Sequence, residues 1–149
     1  MTLPAPLPSL FGRFTSILQE HDHLGKTLRR LRSMCTALER GQAEFSPEVS
    51  PELLLAELRE HLSEHFRAEE SAEYFGVVID EAPTLGPRIA GLKWEHLMML
   101  KAADALDALA KDSSSWAKLA EPTRALVTQL ELHERAESLL LRELFFPKR

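Results

Sequence analysis

The sequence contains few of the residues that cross-link or turn a small β-protein. Its 149 residues include one cysteine, six glycines and one tyrosine. A lone cysteine, Cys35, excludes an intramolecular disulfide, and so little glycine and tyrosine is atypical of a turn-rich all-β chain. At this length we expect one domain with a single core, covering residues 1–149. The composition therefore favours an all-α domain.

A positive charge excess and long hydrophobic runs are also lacking. Lys and Arg number 18 against 23 Asp and Glu, a net charge of −5, which argues against a nucleic-acid partner. No stretch approaches the roughly 18 apolar residues of a membrane span. The proline-rich start of the chain has neither the basic residues nor the apolar core of a signal peptide. We therefore expect a soluble, cytoplasmic protein with neither a nucleic-acid nor a membrane partner.

Helix-breaking residues and helical periodicity divide the chain into four predicted helices. Ser9 and Ser50 each precede an amphipathic segment and are suited to cap its N-terminus. Gly41, Gly76 and Pro147 mark three of the helix ends. Four such helices joined by short connections predict an antiparallel up-down-up-down four-helix bundle. The predicted helices span residues 9–40, 51–75, 87–111 and 121–146, with 1–8 extended and 76–86 a loop.

Polar residues occupy positions on the helix faces that should point into this bundle. Residues three or four apart lie on one face of a helix, and the apolar stripe of each predicted helix contains an imidazole. On two of the helices a glutamate follows that imidazole four residues later. A carboxylate in an apolar core is very costly unless it is compensated. The six inward polar residues are His21, His65, Glu69, His96, His133 and Glu137.

These four imidazoles and two carboxylates suit a pair of divalent metal ions. Nitrogen and oxygen donors without a thiolate favour iron, with manganese or zinc as alternatives. The two glutamates are candidates to bridge the ions and to offset part of their charge. Each His/Glu pair taken alone is better explained as an exposed pair on a helix surface, so a metal-free helical interaction module stays an alternative.

Short strings around these residues occur in a characteristic order. His65, for example, is followed by Phe-x-x-Glu-Glu, and comparable strings surround the other candidates. In order and spacing they resemble the hemerythrin-like (HHE cation-binding) family over nearly the whole chain. The strings are Glu20–Leu24, His65–Glu70, Trp94–His96, His133–Glu137 and Leu144–Pro147.

The resemblance implies a non-haem di-iron centre inside a four-helix bundle, with carboxylate and oxo or hydroxo bridges. It implies O₂ or a related small oxidant as the molecule that binds there. Oxygen-carrying members have a second histidine four residues after the one on helix three, and here that position is Leu100. The ligands that the resemblance implies are His21, His65, Glu69, His96, His133 and Glu137.

Two further histidines lie near the candidate ligands. His61 is one turn before His65, and it could replace the missing imidazole, support a ligand or lie on the helix flank. His23 is displaced by about 200° around the helix from His21. His23 should therefore face outward, which makes it a less favoured ligand than His21.

These patterns predict a protein that binds O₂, or responds to peroxide or nitric oxide, at an iron pair. The absent histidine leaves a coordination position open, which keeps a di-iron oxidase or peroxidase as an alternative. Aromatic and Met residues at helical spacing near the centre are assigned to packing. They are Phe66, Tyr74, Trp94, Met98 and Met99.

Overall fold

The computed structural model describes the backbone of residues 6–145 and the side chains of residues 14–145. This part of the chain is helical and contains no strand. Short 3₁₀ turns at Pro47–Val49, Pro83–Leu85 and Ser113–Lys118 connect the helices. The α-helices are α1 Pro6–Glu39, α2 Pro51–Glu69, α3 Phe75–Glu81, α4 Gly86–Ala110 and α5 Ala120–Phe145.

Several predicted helix ends are confirmed. Ser50 caps α2, because its Oγ accepts a hydrogen bond from Leu53 N at 3.2 Å. Gly41 follows α1 with a φ of 86°, a left-handed conformation that suits glycine after a helix. The predicted starts of helices three and four are within one residue of the observed starts of α4 and α5. The stop predicted before Pro147 lies outside the described residues.

The prediction that residues 1–8 are extended is wrong where the structure describes them. Helix α1 begins at Pro6 rather than after Ser9. Prolines are tolerated in the first turn of a helix, because the amide hydrogens that they lack would have no partner within the helix there. Residues 1–5 lie outside the described residues.

The second predicted helix ends early, and the loop predicted after it contains a helix. Helix α2 ends at Glu69, and α3 begins at Phe75 after a short turn. The loop predicted for residues 76–86 is therefore wrong over residues 76–81, whereas the break in helix at Pro83 is confirmed. Phe75 and Val78 are fully buried at 0% exposure. Burying this apolar face stabilises a helix that was not predicted from the sequence next to Pro83. Ala72, three residues after Glu69, lies in the turn and is exposed.

The four long helices contact one another in a ring. Helix α1 packs against α2 and α5, and α4 packs against the same two helices. Among the described residues, no helix has the length and apolar content needed to cross a membrane. The cytoplasmic location stays a prediction.

The hydrophobic core is divided by a polar layer. A larger cluster includes Leu24, Leu62, Met99 and Leu130. A smaller cluster at the other end includes Ile17, with Phe75 and Val78 from α3. Along α1, α4 and α5, the inward polar residues predicted from the sequence lie between these clusters, and α3 supplies the smaller cluster beyond the end of α2, so apolar side chains enclose the layer from both ends.

Candidate metal centre

The six residues predicted as ligands meet in this polar layer. Their donor atoms form two overlapping groups, each with all of its atoms within 4.8 Å of one another. Glu69 belongs to both groups. The first group is His21, His65 and Glu69, and the second is Glu69, His96, His133 and Glu137. We call these six residues the His/Glu centre.

The two carboxylates lie between the imidazoles. Glu69 Oε1 is 3.4 Å from His65 Nε2 and 3.2 Å from His96 Nε2. Nε2 of His21 is 3.7 Å from Glu69 Oε2 and 3.6 Å from Glu137 Oε1. Glu137 Oε2 is 3.8 Å from His133 Nε2. Each carboxylate therefore faces imidazoles of both groups, as a bridging ligand would.

The glutamates of the centre are buried without compensation. Glu69 and Glu137 have 0% exposure, and all four of their carboxylate oxygens are buried without a hydrogen-bond partner. Burial raises the pKa of Glu69 to about 7. Burial and the neighbouring Glu69 carboxylate raise the pKa of Glu137 well above its usual value. A divalent cation would compensate these four buried oxygens, because carboxylate oxygens are metal ligands.

Three of the histidines are held by carboxylates on their outer side. The Nδ1–H group of His65 donates to Glu20 Oε2 at 2.6 Å. His96 Nδ1 donates to Glu70 at 2.7 Å and His133 Nδ1 donates to Glu95 at 2.7 Å. Because a carboxylate only accepts, these bonds fix the proton on Nδ1 and leave an Nε2 lone pair facing the centre. Metal-ligating histidines are oriented in the same way in known metal sites.

Sequence reasoning missed these supporting carboxylates. Glu20, Glu70 and Glu95 each stand next to a ligand candidate in the chain, yet each bonds a histidine of the neighbouring helix. The available signal was an acidic residue directly beside His21, Glu69 and His96. The partner of each one depends on how adjacent helices pack, and this could not be inferred from a single helix.

The lone pairs of His96 and His133 face each other. Their Nε2 atoms are 3.0 Å apart, and both are acceptors because both rings carry their proton on Nδ1. Burial lowers the pKa of His96 to about 3 and that of His133 below its usual value, so neither is protonated at pH 7. Two nitrogens bound at right angles to one ion at about 2.1 Å lie about 3.0 Å apart. The spacing therefore fits a shared cation.

Aromatic rings fix the orientation of His96. Phe66 stacks on the imidazole at a centroid distance of 3.9 Å, and Phe75 lies parallel to it at 6.0 Å. The packing role predicted for Phe66 agrees with these contacts. Phe75 comes from α3, the helix that sequence reasoning took for a loop.

Tyr74 precedes Phe75 in the chain and lies near the two glutamates of the centre. Its side chain is buried, and its hydroxyl has no hydrogen-bond partner among the described residues. Burial raises its pKa above the usual range, and the nearby carboxylates of Glu137 and Glu69 act in the same direction. Besides packing in the smaller cluster, Tyr74 therefore places an O–H donor beside the carboxylates.

The remaining candidates lie outside the centre. His61 stacks against His65 with ring centroids 6.0 Å apart, but it belongs to neither donor group. His23 is exposed, as predicted, and lies 5.2 Å from His61 on the outer face. Leu100 packs against the larger hydrophobic cluster. No imidazole therefore replaces the absent histidine within the described residues.

Two of the residues assigned to packing line a surface cavity instead. Trp94 is 62% exposed and Met98 is 43% exposed. They border a cavity of about 290 Å³ between α4 and α5 that reaches His133. Helical spacing alone did not distinguish these positions, because Trp94 and Met98 flank the inward stripe of α4. The cavity places solvent-accessible space beside one ligand candidate.

The burial of the centre disfavours a surface interaction module. Such a module needs exposed His/Glu pairs on α2 and α5. Taken as whole residues, His65 and His133 are only 4% and 3% exposed, and both glutamates are fully buried. The donor set of imidazole nitrogens and carboxylate oxygens fits iron, manganese or zinc. Comparison with protein-family models, curated proteins and solved structures finds no match to this chain. The His/Glu centre is therefore the feature of this chain that indicates a function.

Proposed function

We propose that the protein is a hemerythrin-like, non-haem di-iron protein that binds O₂ or a related small oxidant. The observation that carries the proposal is the pair of fully buried glutamates, Glu69 and Glu137, whose four oxygens have no hydrogen-bond partner. Two cations would offset these buried charges, and iron is the metal that we favour. Iron in such a site supplies electrons to a bound oxidant.

The residues divide between two ions. His21 and His65 would hold one ion, and His96 and His133 would hold the other, with Glu69 and Glu137 shared between them. The protein fixes the imidazoles through the outer carboxylates and through Phe66. The two apolar clusters exclude water from both ends of the layer, which strengthens the electrostatic interactions inside it.

The proposal includes an antiparallel up-down-up-down arrangement of the long helices. Contacts between α1 and α5 support it, because Arg32 bonds Glu131 whereas Glu39, further along α1, bonds Arg124, which is earlier in α5. In a parallel pair, residues further along α1 would contact residues further along α5. In this arrangement each helix contributes at the same level of the bundle.

Loss of a supporting carboxylate is expected to weaken metal binding. Replacing Glu95 with glutamine should reduce the affinity for Co²⁺ by about 10- to 100-fold, because His133 loses its charged acceptor. Competition with a chelator of known affinity measures the change. Glu143→Gln is the control, since Glu143 pairs with Arg88 on the exposed surface. Equal affinities in Glu95→Gln and wild type would contradict this role.

A di-iron oxidase or peroxidase is the second candidate function. The His/Glu centre offers four imidazole nitrogens and four carboxylate oxygens, fewer than the roughly twelve donors that two six-coordinate ions take. The cavity beside His133 also opens to the surface. Sustained consumption of peroxide together with a reductant would favour this function over binding alone.

The test of the proposed function is the response of the iron-loaded protein to oxygen. Protein reconstituted with ferrous iron without air is mixed with air-saturated buffer while its absorption spectrum is recorded. We expect an oxygen-dependent band in the near-ultraviolet or visible range, absent from a zinc-loaded control. An iron-loaded spectrum that oxygen leaves unchanged would contradict the proposal.

A further inference from the structure

Three hydrogen bonds around the His/Glu centre follow one rule. A carboxylate beside a ligand candidate on one helix accepts a hydrogen bond from the histidine on the next helix around the bundle. The pairs are Glu20 of α1 with His65 of α2, Glu70 at the C-terminal end of α2 with His96 of α4, and Glu95 of α4 with His133 of α5. The rule thus covers three of the four interfaces between neighbouring long helices.

The fourth interface lies between α5 and α1, which pack together. Glu134 occupies the matching place on α5, because it stands next to His133 and one turn before Glu137, which faces His21 at 3.6 Å. Its Oε1 atom is buried and has no hydrogen-bond partner. His21 is also close enough to interact electrostatically with the Glu134 carboxylate.

His21 is the histidine of the centre that lacks an outer acceptor. Its Nε2 atom faces Glu69 and Glu137. The Nε2 atoms of the other three histidines likewise face a carboxylate of the centre. No hydrogen bond to its Nδ1 atom occurs among the residues that the structure describes. Its side chain is 10% exposed, compared with 3% for His65 and 2% for His133. A histidine without an outer acceptor and a carboxylate without a hydrogen-bond partner therefore lie near each other at the one interface without this bond.

We propose that Glu134 is the positioning residue for His21 and accepts the Nδ1–H hydrogen bond of that imidazole when metal is bound. The inference rests on the proposed function, because it assigns His21 as a ligand. The bond fixes the proton on Nδ1, which leaves the Nε2 lone pair free for the ion. It completes a ring in which every long helix orients the histidine of the next.

The test is a double-mutant cycle with Co²⁺ as the probe. Glu134→Ala is expected to weaken Co²⁺ binding by about 10- to 100-fold and to change the visible spectrum of the bound ion. In a His21→Ala background, Glu134→Ala should have no further effect, because Glu134 acts through His21. Glu134→Gln, which keeps an acceptor oxygen, should retain more affinity than Glu134→Ala.

Two controls separate this inference from the proposed function. Glu95→Gln reports a supporting bond that the structure contains, and Glu143→Gln reports an exposed carboxylate. Wild-type affinity in Glu134→Ala alongside weak binding in Glu95→Gln would overturn the role of Glu134 alone. An equal loss with and without His21 would also overturn it. Absence of Co²⁺ binding by the wild-type protein would overturn both proposals.

Discussion

Replacing Glu69 with glutamine is expected to weaken metal binding by more than about 100-fold, beyond the range typical of residues that only support a ligand. Glu69 belongs to both donor groups and faces both His65 and His96. Its loss removes a charged donor from each ion, and an amide oxygen does not replace the charge. Titration with Co²⁺ or ferrous iron in the absence of air measures the effect.

The same substitution should stabilise the metal-free protein. Burial raises the pKa of Glu69 from 4.5 to about 7, so ionising this group at pH 8 costs roughly 3 kcal/mol of folding free energy. Glutamine removes that charge, and we expect a gain of about 1 to 3 kcal/mol, reduced by the cost of burying the amide. Chemical unfolding of the metal-free proteins at pH 8 measures it.

Glu60→Gln is the matched control for Glu69→Gln. Glu60 is exposed on α2, so its replacement should alter neither metal affinity nor the free energy of unfolding appreciably. A variant that binds metal more weakly but is more stable without metal is expected only where the replaced carboxylate is a metal ligand. A Glu69→Gln protein that is less stable without metal and binds metal normally would refute the assignment.

Metal binding is expected to release protons and to weaken as the pH falls below 7. Glu69 has a pKa of about 7, so at pH 6 most of the metal-free protein carries a proton there that the ion must displace. His65 and His96 have pKa values of about 3 and release none at this pH. Each displaced proton lowers the apparent affinity about tenfold per pH unit.

Calorimetric titration in two buffers of different ionisation enthalpy counts the protons. We expect about one proton from Glu69 at pH 6, declining as the pH rises through 7, with a further contribution from Glu137. Glu69→Gln should release one proton fewer at pH 6. Metal binding that is independent of pH between 6 and 8 would contradict the picture of buried carboxylates as ligands.

The metal-free protein should also lose stability as the pH rises from 6.5 to 8. The folded pKa of Glu69 lies above its unfolded value, so its contribution is complete below pH 4.5 and is lost as the pH passes through about 7. His65 and His96 have lowered pKa values, and their contribution is lost as the pH falls from 6.5 towards about 3. Between pH 6.5 and 8 the ionisation of Glu69 therefore lowers the free energy of unfolding, and the two histidines do not offset this loss.

The ligand candidates could be predicted because helical spacing determines which side chains share a face. His96 and Met99 lie on one stripe of α4, and both are buried. The same reasoning separated His23 from His21, because two residues along a helix point in different directions. The strong cost of burying Glu69 and Glu137 then indicated that a cation serves them.

Features that depend on packing between helices could not be predicted in this way. The roles of Glu70 and Glu95 require the register of α2 against α4 and of α4 against α5. Phe75 and Val78 form a helix because the end of the bundle buries them, and the local sequence with its Gly and Pro did not indicate this. Trp94 is exposed because it lines the cavity between α4 and α5, and that cavity forms only where the two helices pack together.

The most direct test of the account is the metal content of the protein after reconstitution with ferrous iron in the absence of air. Elemental analysis is performed after removal of unbound iron, on the wild type and on a Glu69→Gln/Glu137→Gln double variant. We predict about two iron ions per wild-type chain and essentially none in a correctly folded double variant. No iron in the wild type, or equal iron in both proteins, would contradict the central claim.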